Sequence, residues 1–552
     1  MIYDYAIKII KNSILAINFT IMKKIFFLGL LFSFLISYSQ EHAWVYFTDK
    51  PSETNMLANP LLMLSQRSLD RRTRQNISLN YKDVPIENIY INQISAQNGV
   101  LVKAKSKWLN AVHVFGLASD IDALLSLPFV DNIEYADSSL NTKVKKTKIV
   151  KQNKSKFGEL TNYNYGDSYN QAHQIRVDFL HEQNFTGSTM QIAILDAGFP
   201  GVDTFSAFQK IRDGNQILGG YNFVDRTSNF YQNSRHGMSV LSTIAGFVDG
   251  ELIGTAPDAN FYLFITEDAV PETPVEESLW VEAAEKADSL GVDIINTSLG
   301  YQGFDETRYN HQYSDMNGIT TFISRGANIA VEKGIIVVVA AGNDGNNSYF
   351  NISAPADAID VFTIGAVASD GSIANFSSYG PSYDNRIKPD VDAKGFQTTV
   401  LDSNGFVTTG SGTSYATPIM SGSIACLWEA FPNKTNYEIM QMIRESAHLY
   451  NNPTDQEGYG IPNFETVFQT AKFQNSTLSN INVYPNPIKN TIYINNTNFK
   501  KLNIDVFDMF GKKIISKYIY KSKVDVSELN SGIYLLKISD NNKSTTFKIL
   551  KE

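Results

Sequence analysis

The stretch GIIVVVAAGN, residues 334–343, is an apolar run that ends in a glycine and an asparagine. A continuous apolar run of this length, closed by turn residues, is typical of a strand buried on both faces of a sheet. Segments with helical spacing, such as EESLWVEAAEKADSLG at 276–291, separate several such runs between about 160 and 470. The other runs are MQIAILDAG (190–198), ANFYLFI (259–265), VDIINTSLG (292–300) and DVFTIGAVA (360–368). This alternation predicts an α/β domain with a parallel sheet and helices on both of its faces.

Three of the predicted strands end in polar residues beside glycine. The first delivers Asp196, the second delivers Ser298 with Gly300, and the third delivers Gly342 with Asn343. Functional groups gather at the carboxyl ends of the strands in an open parallel sheet, so these side chains are candidates for a site. Taken alone, Asp196 is better explained as the cap of the next helix.

Two helix starts carry further polar residues. His236 opens the apolar-periodic stretch HGMSVLSTIAG, and Ser414 stands at the start of the helix predicted from SGTSYATPIMSG, residues 411–422. A serine at a helix start has a free backbone N–H, and the helix dipole favours negative charge beside it. Pro418 is compatible with the first turn of that helix. Each residue alone has an ordinary explanation, the histidine as a surface residue and the serine as an N-cap.

Together these residues supply what acyl transfer at a serine requires. The reaction needs a nucleophile, a general base, a carboxylate that orients the base, and donors for the developing oxyanion. A serine and a histidine at helix starts, with an aspartate and an asparagine at strand ends, provide all four groups.

At these residues the sequence resembles the subtilisin-like serine proteases, or subtilases (peptidase family S8). The motifs that carry the resemblance are GTSYATP (412–418), AILDAG (193–198), HGMSVLSTIAG (236–246) and VVAAGN (338–343). Three further stretches agree with the family: IGTAPDANFYLF (253–264), GVDIINTSLGY (291–301) and FSSYGPSYDNRIKPDVDAKG (376–395). The order Asp, His, Ser along the chain is also that of subtilisins.

The resemblance implies a role for each matching residue. Ser414 would be the nucleophile, His236 the general base and Asp196 the orienting acid, and Asn343 would donate to the oxyanion beside the N–H of Ser414. The substrate-binding residues would be Ser298, Leu299 and Gly300, which pair with the substrate backbone, and Ala341 and Gly342, which wall the S1 pocket. Protein or peptide substrates and no required cofactor follow from the family. A structural calcium ion stays open, because no matching carboxylate loop stands out.

Several residues depart from the family pattern. Ala197 follows Asp196 where the family has Ser or Thr, so one hydrogen bond near the carboxylate is expected to be missing. Met238 and Ser239 replace the usual Thr and His after His-Gly, and Tyr415 replaces the Met after the nucleophile. Asp344 follows Asn343, and at the pocket rim it would favour a basic P1 residue.

The resemblance divides the rest of the chain into domains. Residues 40–145, which end in the helix-and-strand pattern ASDIDALLSLPFVDNIEYAD (118–137), resemble a small α+β subtilase propeptide that inhibits and chaperones the catalytic domain at 146–475. The basic stretch KVKKTKIVKQNKSK (143–156) suits the place where such a propeptide is removed. A permanent accessory domain is the alternative.

The last residues, 476–552, alternate short strands with Asn, Gly and Asp turns, which predicts a small all-β sandwich. INVYPNPIKNTIYI (481–494), DMFGKKI (508–514) and LNSGIYLLKI (529–538) resemble the sorting domain of the type IX secretion system of Bacteroidota. The secretion machinery would then be a partner. A carbohydrate-binding sandwich is the alternative.

The N-terminal end predicts export. Residues 22–39 read as a signal peptide, with Lys23 and Lys24, an apolar run from 25 to 36, and small residues at 37 and 39. Residues 1–21 look like upstream sequence from a start set too early. A membrane anchor is the alternative, but the run is short for a bilayer. We therefore expect a secreted or surface-attached protein with no transmembrane anchor once the signal is removed.

Composition excludes some functions. The net charge of −9 argues against a nucleic-acid partner, and the single cysteine, Cys426, rules out an internal disulfide. A second kind of serine hydrolase, the SGNH esterase, is suggested by Gly166-Asp167-Ser168, but the late His448 has Glu445 where that family has Asp. A catalytically silent adhesin on a subtilase scaffold is the other competing hypothesis.

Overall fold

A computed structural model of the protein describes residues 39–141, 163–268, 271–476, 481–495, 501–519, 523–539 and 543–552. The predicted upstream segment, nearly all of the predicted signal peptide and the basic linker lie outside these residues. No helix in the described ranges combines the length and the apolar character that crossing a membrane requires.

The N-terminal domain is a four-stranded antiparallel sheet covered by short helices. Its strands are β1 (Gln40–Phe47), β2 (Val100–Ser106), β3 (Ala111–Leu117) and β4 (Val130–Tyr135), in the order β2-β3-β1-β4. Its helices are α1 (Glu53–Ala58), α2 (Gln66–Arg74), α3 (Asn88–Ser95) and α4 (Ala118–Asp122). The helix and strand predicted at 118–137 are therefore present as α4 and β4, and the domain has a small apolar core of its own.

The central domain contains the predicted parallel sheet. Its sheet strands are β5 (Gln191–Asp196), β6 (Ile217–Asn222), β9 (Asn260–Ile265), β10 (Ile294–Thr297), β11 (Ile336–Ala340), β12 (Phe362–Val367) and β13 (Val391–Lys394). They lie in the order β13-β12-β11-β10-β5-β9-β6, and every pairing is parallel. Two short hairpins add β7 (Phe247–Val248) with β8 (Leu252–Ile253) and β14 (Thr398–Leu401) with β15 (Val407–Gly410).

Helices surround this sheet and bury its apolar strands. They are α5 (Tyr169–His173), α6 (Val177–Glu182), α7 (Gln209–Asp213), α8 (His236–Ala245), α9 (Val275–Leu290), α10 (Phe322–Glu332), α11 (Thr413–Ala430), α12 (Asn436–Ser446) and α13 (Phe464–Ser476). Helix α11 is almost entirely buried and packs against β10, β11, β12 and β13 and against α8. The start of α11 therefore lies at the carboxyl ends of the central strands.

The C-terminal domain is all β, as predicted. One sheet has β16 (Asn482–Tyr484), β17 (Thr491–Asn495) and β20 (Lys523–Asp525), and the other has β18 (Leu502–Phe507), β19 (Lys513–Ile519), β21 (Gly532–Ser539) and β22 (Ser544–Lys551). The two sheets share one apolar cluster, which includes Ile492, Ile504 and Leu536. The polar, unpatterned stretch AKFQNSTLSNIN, residues 471–482, is typical of a linker, but α13 continues through Ser476 and occupies its first half.

The N-terminal domain packs on α9 and α10 of the central domain. The ring of Trp44 stacks on Phe322 with 4.7 Å between ring centroids, and its indole N–H donates to Ser278 Oγ at 2.8 Å. The backbone N–H groups of Lys107 and Trp108 donate to the carboxylate of Glu285 at 3.0 and 2.9 Å. The interface therefore combines apolar burial with buried polar contacts.

Candidate active site

Asp196 and His236 form a hydrogen-bonded pair at the carboxyl edge of the sheet. Asp196 is the last residue of β5 and His236 is the first residue of α8. The imidazole Nδ1 lies 2.7 Å from Asp196 Oδ1; the aspartate side chain is fully buried, whereas 32% of the histidine side chain is exposed. With the N–H of Nδ1 donating to the carboxylate, Nε2 is the imidazole nitrogen free to accept a proton.

The surroundings of His236 favour its protonated form. Burial alone would lower the pKa of His236, but the charge and hydrogen bond of Asp196, with the charge of Glu267, outweigh burial and raise the pKa to about 9. A histidine with this pKa is mostly protonated at neutral pH. It becomes available as a general base as the pH rises through this value.

One carboxylate oxygen of Asp196 lacks a partner. Oδ1 accepts from the N–H of Ala197 at 2.8 Å in addition to His236, whereas the buried Oδ2 has no hydrogen-bond partner among the described residues. The alanine side chain offers no donor there. This agrees with the hydrogen bond that the sequence predicted to be missing.

Ser414 lies in the first turn of α11, close to His236. The ring of its neighbour Tyr415 lies 6.3 Å from the His236 ring, measured between centroids. The N–H of Ser414 has no intrahelical acceptor because it belongs to the first turn. Within the described residues, the Ser414 hydroxyl and His236 are not hydrogen-bonded, a bond that is often long before substrate binds.

Asn343 faces the N–H of Ser414. Its Oδ1 accepts from the N–H of Thr413 at 2.8 Å and lies 3.0 Å from the Thr413 hydroxyl, so the side-chain NH₂ is turned away from this anchor. A Cβ on Gly412 would lie 3.7 Å from Asn343 Nδ2, from Asn343 Oδ1 and from the Ser414 nitrogen. The amide group of Asn343 and the N–H of Ser414 are therefore near the same point beside Gly412. Sequence reasoning missed the anchoring by Thr413, although this residue is in the motif.

Ser298 holds the backbone of Ser414. Its hydroxyl donates to the Ser414 carbonyl at 2.9 Å and accepts from Asn296 Nδ2 at 3.1 Å. Pro418 explains why that carbonyl is free, because proline lacks the N–H that would bond it within the helix. The proline lies inside α11 and not in its first turn, which corrects the sequence prediction.

The other predicted substrate-binding residues lie at the same edge of the sheet. Leu299 and Gly300 follow Ser298, the residue after the end of β10, and their backbone groups form no hydrogen bond with described residues. Ala341 and Gly342 directly follow β11; Ala341 is buried, and Gly342 contacts the Thr413 hydroxyl. Free backbone groups at Leu299 and Gly300 can pair with an extended peptide.

A cleft of about 550 Å³ opens beside His236. Leu299 and Gly300 line it, together with three acidic residues, Glu267, Glu272 and Asp344. Sequence reasoning identified Asp344 but missed the two glutamates, since no motif marks them. Among the described residues, no group of three or more acidic, His or Cys side chains is arranged to hold a metal ion.

The competing serines have structural roles. The hydroxyl of Ser168 is buried between Tyr165 and Ile253, donating to the Tyr165 carbonyl at 2.7 Å and accepting from the Ile253 N–H at 2.9 Å. Ser411 Oγ accepts from the N–H of Gln397 at 3.0 Å. Ser421 donates to Asn296 Oδ1 at 2.8 Å from within α11. None of these contacts involves His236.

Comparison with known families divides the chain in the same way as the fold. The subtilase family profile matches residues 187–461. The profile of the Peptidase S8 propeptide domain of Bacteroidota matches residues 42–155, and that of the secretion system C-terminal sorting domain matches residues 482–552.

Several known proteases are similar to the central part of the chain. Subtilisin NAT of Bacillus subtilis subsp. natto is 30% identical over 54% of this chain and 70% of its own length. Subtilisin of Bacillus pumilus is 30% identical over 54% of this chain and 97% of its own. Serine protease AprX of Bacillus subtilis (strain 168) is 28% identical over 50% of this chain and 65% of its own length. The protein therefore belongs to the subtilase family of serine endopeptidases, and it carries the family's propeptide domain and a secretion sorting domain.

Proposed function

We propose that the protein is a secreted endopeptidase that hydrolyses peptide bonds through an acyl-enzyme on Ser414. His236 removes the hydroxyl proton as the serine attacks and returns it to the leaving amine. Asp196 orients the imidazole and stabilises its charged form. This sequence of steps is the general mechanism of serine proteases, for which subtilisins are themselves a reference case.

The observation that carries this proposal is the 2.7 Å bond between Asp196 Oδ1 and His236 Nδ1, with the start of α11 beside the imidazole. The bond holds the proton on Nδ1 and leaves Nε2 for the serine. A buried carboxylate that accepts from a histidine in an open cleft is costly to maintain without a use for the pair.

The oxyanion formed in each tetrahedral intermediate would be bound beside Gly412. Asn343 Nδ2 and the N–H of Ser414 both lie 3.7 Å from the position of a Cβ on Gly412. The N–H of Thr413 donates to Asn343 Oδ1 and holds this side chain in place, so the donors need little reorganisation when charge develops. Donors that are already oriented stabilise the transition state more than the substrate.

The substrate would bind as an extended strand. Leu299 and Gly300 offer free backbone groups on one side, and Ala341 and Gly342 would wall the pocket of the P1 residue. The hydroxyl of Ser298 donates to the backbone carbonyl of Ser414 at 2.9 Å, so we assign Ser298 a positioning role.

Transport and processing follow from the flanking domains. The propeptide domain would inhibit and assist the folding of the catalytic domain until it is cut off within the basic stretch 143–156. The sorting domain at 476–552 would direct the chain to a type IX secretion machinery, with release or attachment at the cell surface.

A fluorophosphonate probe tests the proposal, because it reacts covalently with an activated serine. The mature wild-type protein should be labelled and should cleave peptides, whereas Ser414→Ala should do neither. Ser411→Ala is the matched control in the same stretch and should still be labelled. Failure of the mature wild type to react would contradict the proposal and support the silent adhesin.

A further inference from the structure

The cleft beside His236 has an acidic lining. Glu267, Glu272 and Asp344 line it, and none of its described lining residues is a lysine or an arginine. Asp344, the acidic residue identified from the sequence, already accepts from Asn347 Nδ2 at 2.7 Å. The two glutamates are therefore the acidic lining residues whose carboxyl groups have no partner among the described residues.

Neither Glu267 nor Glu272 is neutralised within the described part of the protein. Their carboxyl groups form no ion pair and no hydrogen bond with described residues. Burial is the largest cause that raises the pKa of Glu267, to about 8, and the charges of Asp196 and Glu272 add to it. Burial and the charge of Asp305 raise the pKa of Glu272. Both carboxyl groups would be stabilised by a cation.

The phenol of Tyr301 is a further polar group without a partner near these carboxyl groups. Tyr301 is 1% exposed and its hydroxyl has no hydrogen-bond partner among the described residues, although the charges of Glu267, Glu276 and Glu272 add to the effect of burial in raising its pKa. A buried hydroxyl without a partner is uncommon in native proteins and calls for an explanation.

Glu276, near the same cleft, is a carboxylate whose two oxygens both have hydrogen-bond partners. Its oxygens accept from the backbone N–H groups of Asp268 and Thr273, each at 3.0 Å. Glu276 thereby fastens the chain that carries Glu267 and Glu272. By contrast, the carboxyl groups of Glu267 and Glu272 hold no part of the described backbone, so both can bind a ligand.

We propose that Glu267 and Glu272 are specificity-determining residues that bind a lysine or arginine side chain of the substrate. This inference rests on the proposed function. The cation would belong to a residue N-terminal to P1, because Leu299 and Gly300 line this cleft whereas Ala341 and Gly342, the proposed wall of the P1 pocket, do not. A cation there gains two charge-assisted hydrogen bonds, and a substrate without it leaves two carboxyl groups partly buried and unpaired.

The chain itself contains a segment of matching charge. The stretch 142–158, which lies outside the described residues, has no Asp or Glu and carries lysines at positions 143, 145, 146, 148, 151, 154 and 156. It follows the N-terminal domain, whose Glu41 pairs with Arg308. Arg308 lies in the same loop as Gln302 and Gly303, which line the cleft. The charge of this stretch is therefore opposite to that of the cleft.

A peptide library on the mature secreted protein tests the inference. Internally quenched peptides would share one P1 residue and carry either lysine or norleucine, which lacks the ammonium group, at P2, P3 or P4. At one of these positions the wild type should prefer lysine by about tenfold in kcat/KM. Glu267→Gln and Glu272→Gln should each reduce this ratio, and the double variant should bring it to within about twofold.

The ratio of two substrates on one variant cancels changes in intrinsic rate, and fluorophosphonate titration counts the folded, active protein. Glu445→Gln removes the same charge from an exposed position on α12 and should leave the ratio unchanged. A labelled wild type without a lysine preference, or variants that retain the preference, would overturn the inference alone. Absence of label on Ser414 would instead overturn the proposed function.

Discussion

The buried Asp196 and the cleft residue Glu267 both affect the pKa of His236. The charges of Asp196 and Glu267 overcome the effect of burial and raise the pKa of His236 to about 9. A general base works only in its neutral form, so activity must rise as the pH passes upward through this pKa. The protease is therefore expected to be most active under alkaline conditions.

The pH dependence of kcat/KM provides the first prediction. In the wild type it should rise to a half-maximal value near pH 9. Glu267→Gln removes a negative charge that favours the imidazolium, so the half-maximal point should move to lower pH. Glu272→Gln is the matched control, since this residue lines the same cleft but is not among the groups that shift His236. A profile that stays fixed in Glu267→Gln would contradict the assignment.

Some residues of the site were predictable from the sequence and others were not. Asp196, His236, Asn343 and Ser414 lie in short motifs whose residue types fit the chemistry, and the structure brings them to one edge of the sheet. Glu267 lies in no motif, and its importance arises from burial and from distant neighbours, which a single sequence does not reveal.

At the scale of elements, a hydrogen bond from the end of β10 replaces one that is missing within α11. Pro418 cannot donate to the carbonyl of Ser414, and the hydroxyl of Ser298 does so instead at 2.9 Å. The start of the helix is thereby tied to the end of β10. This cross-link fixes the nucleophile relative to Leu299 and Gly300, which directly follow Ser298.

A double-mutant cycle tests this exchange. Ser298→Ala alone leaves a buried carbonyl without a donor and should lower the free energy of unfolding by about 1–3 kcal/mol, with a lower kcat. Pro418→Ala restores an N–H that can bond the same carbonyl within the helix. Ser298→Ala should therefore cost less in the Pro418→Ala background, as measured by denaturant unfolding. Additive effects of the two substitutions would argue against the exchange.

The elements themselves differ in how far the sequence predicts them. Strands β5, β9, β10, β11 and β12 are apolar runs buried on both faces, and all five were predicted. The two edge strands, β6 and β13, were missed. β6 contains Gly219 and Gly220, and β13 alternates apolar residues with Asp392 and Lys394, so neither shows the continuous apolar run of a buried strand. Neighbouring strands, more than local preference, make them part of the sheet.

At the scale of the whole molecule, the propeptide domain is held by buried charges. Arg71 and Arg72 of α2 both bind Asp288 of α9, and the side chains of all three are nearly or completely buried. Burial alone would raise the pKa of Asp288, but the charges of Arg72 and Arg71 lower it far below its usual range. Arg72 also pairs with Asp83 at 2.9 Å, whereas Asp288 is the acidic partner of Arg71.

Removing the charge of Asp288 should therefore loosen the propeptide. In a Ser414→Ala background, where the chain should remain uncut, Asp288→Asn leaves Arg71 as a buried, uncompensated cation at a cost of about 3–5 kcal/mol. Hydrogen exchange of α9 should rise accordingly. Glu282 lies on the same helix and pairs with the part-exposed Arg226. Glu282→Gln breaks this pair and should cost at most about 1 kcal/mol. Equal protection of α9 in the two variants would show that the buried arginines do not hold the propeptide, and its docking would then depend on Trp44 and Trp108.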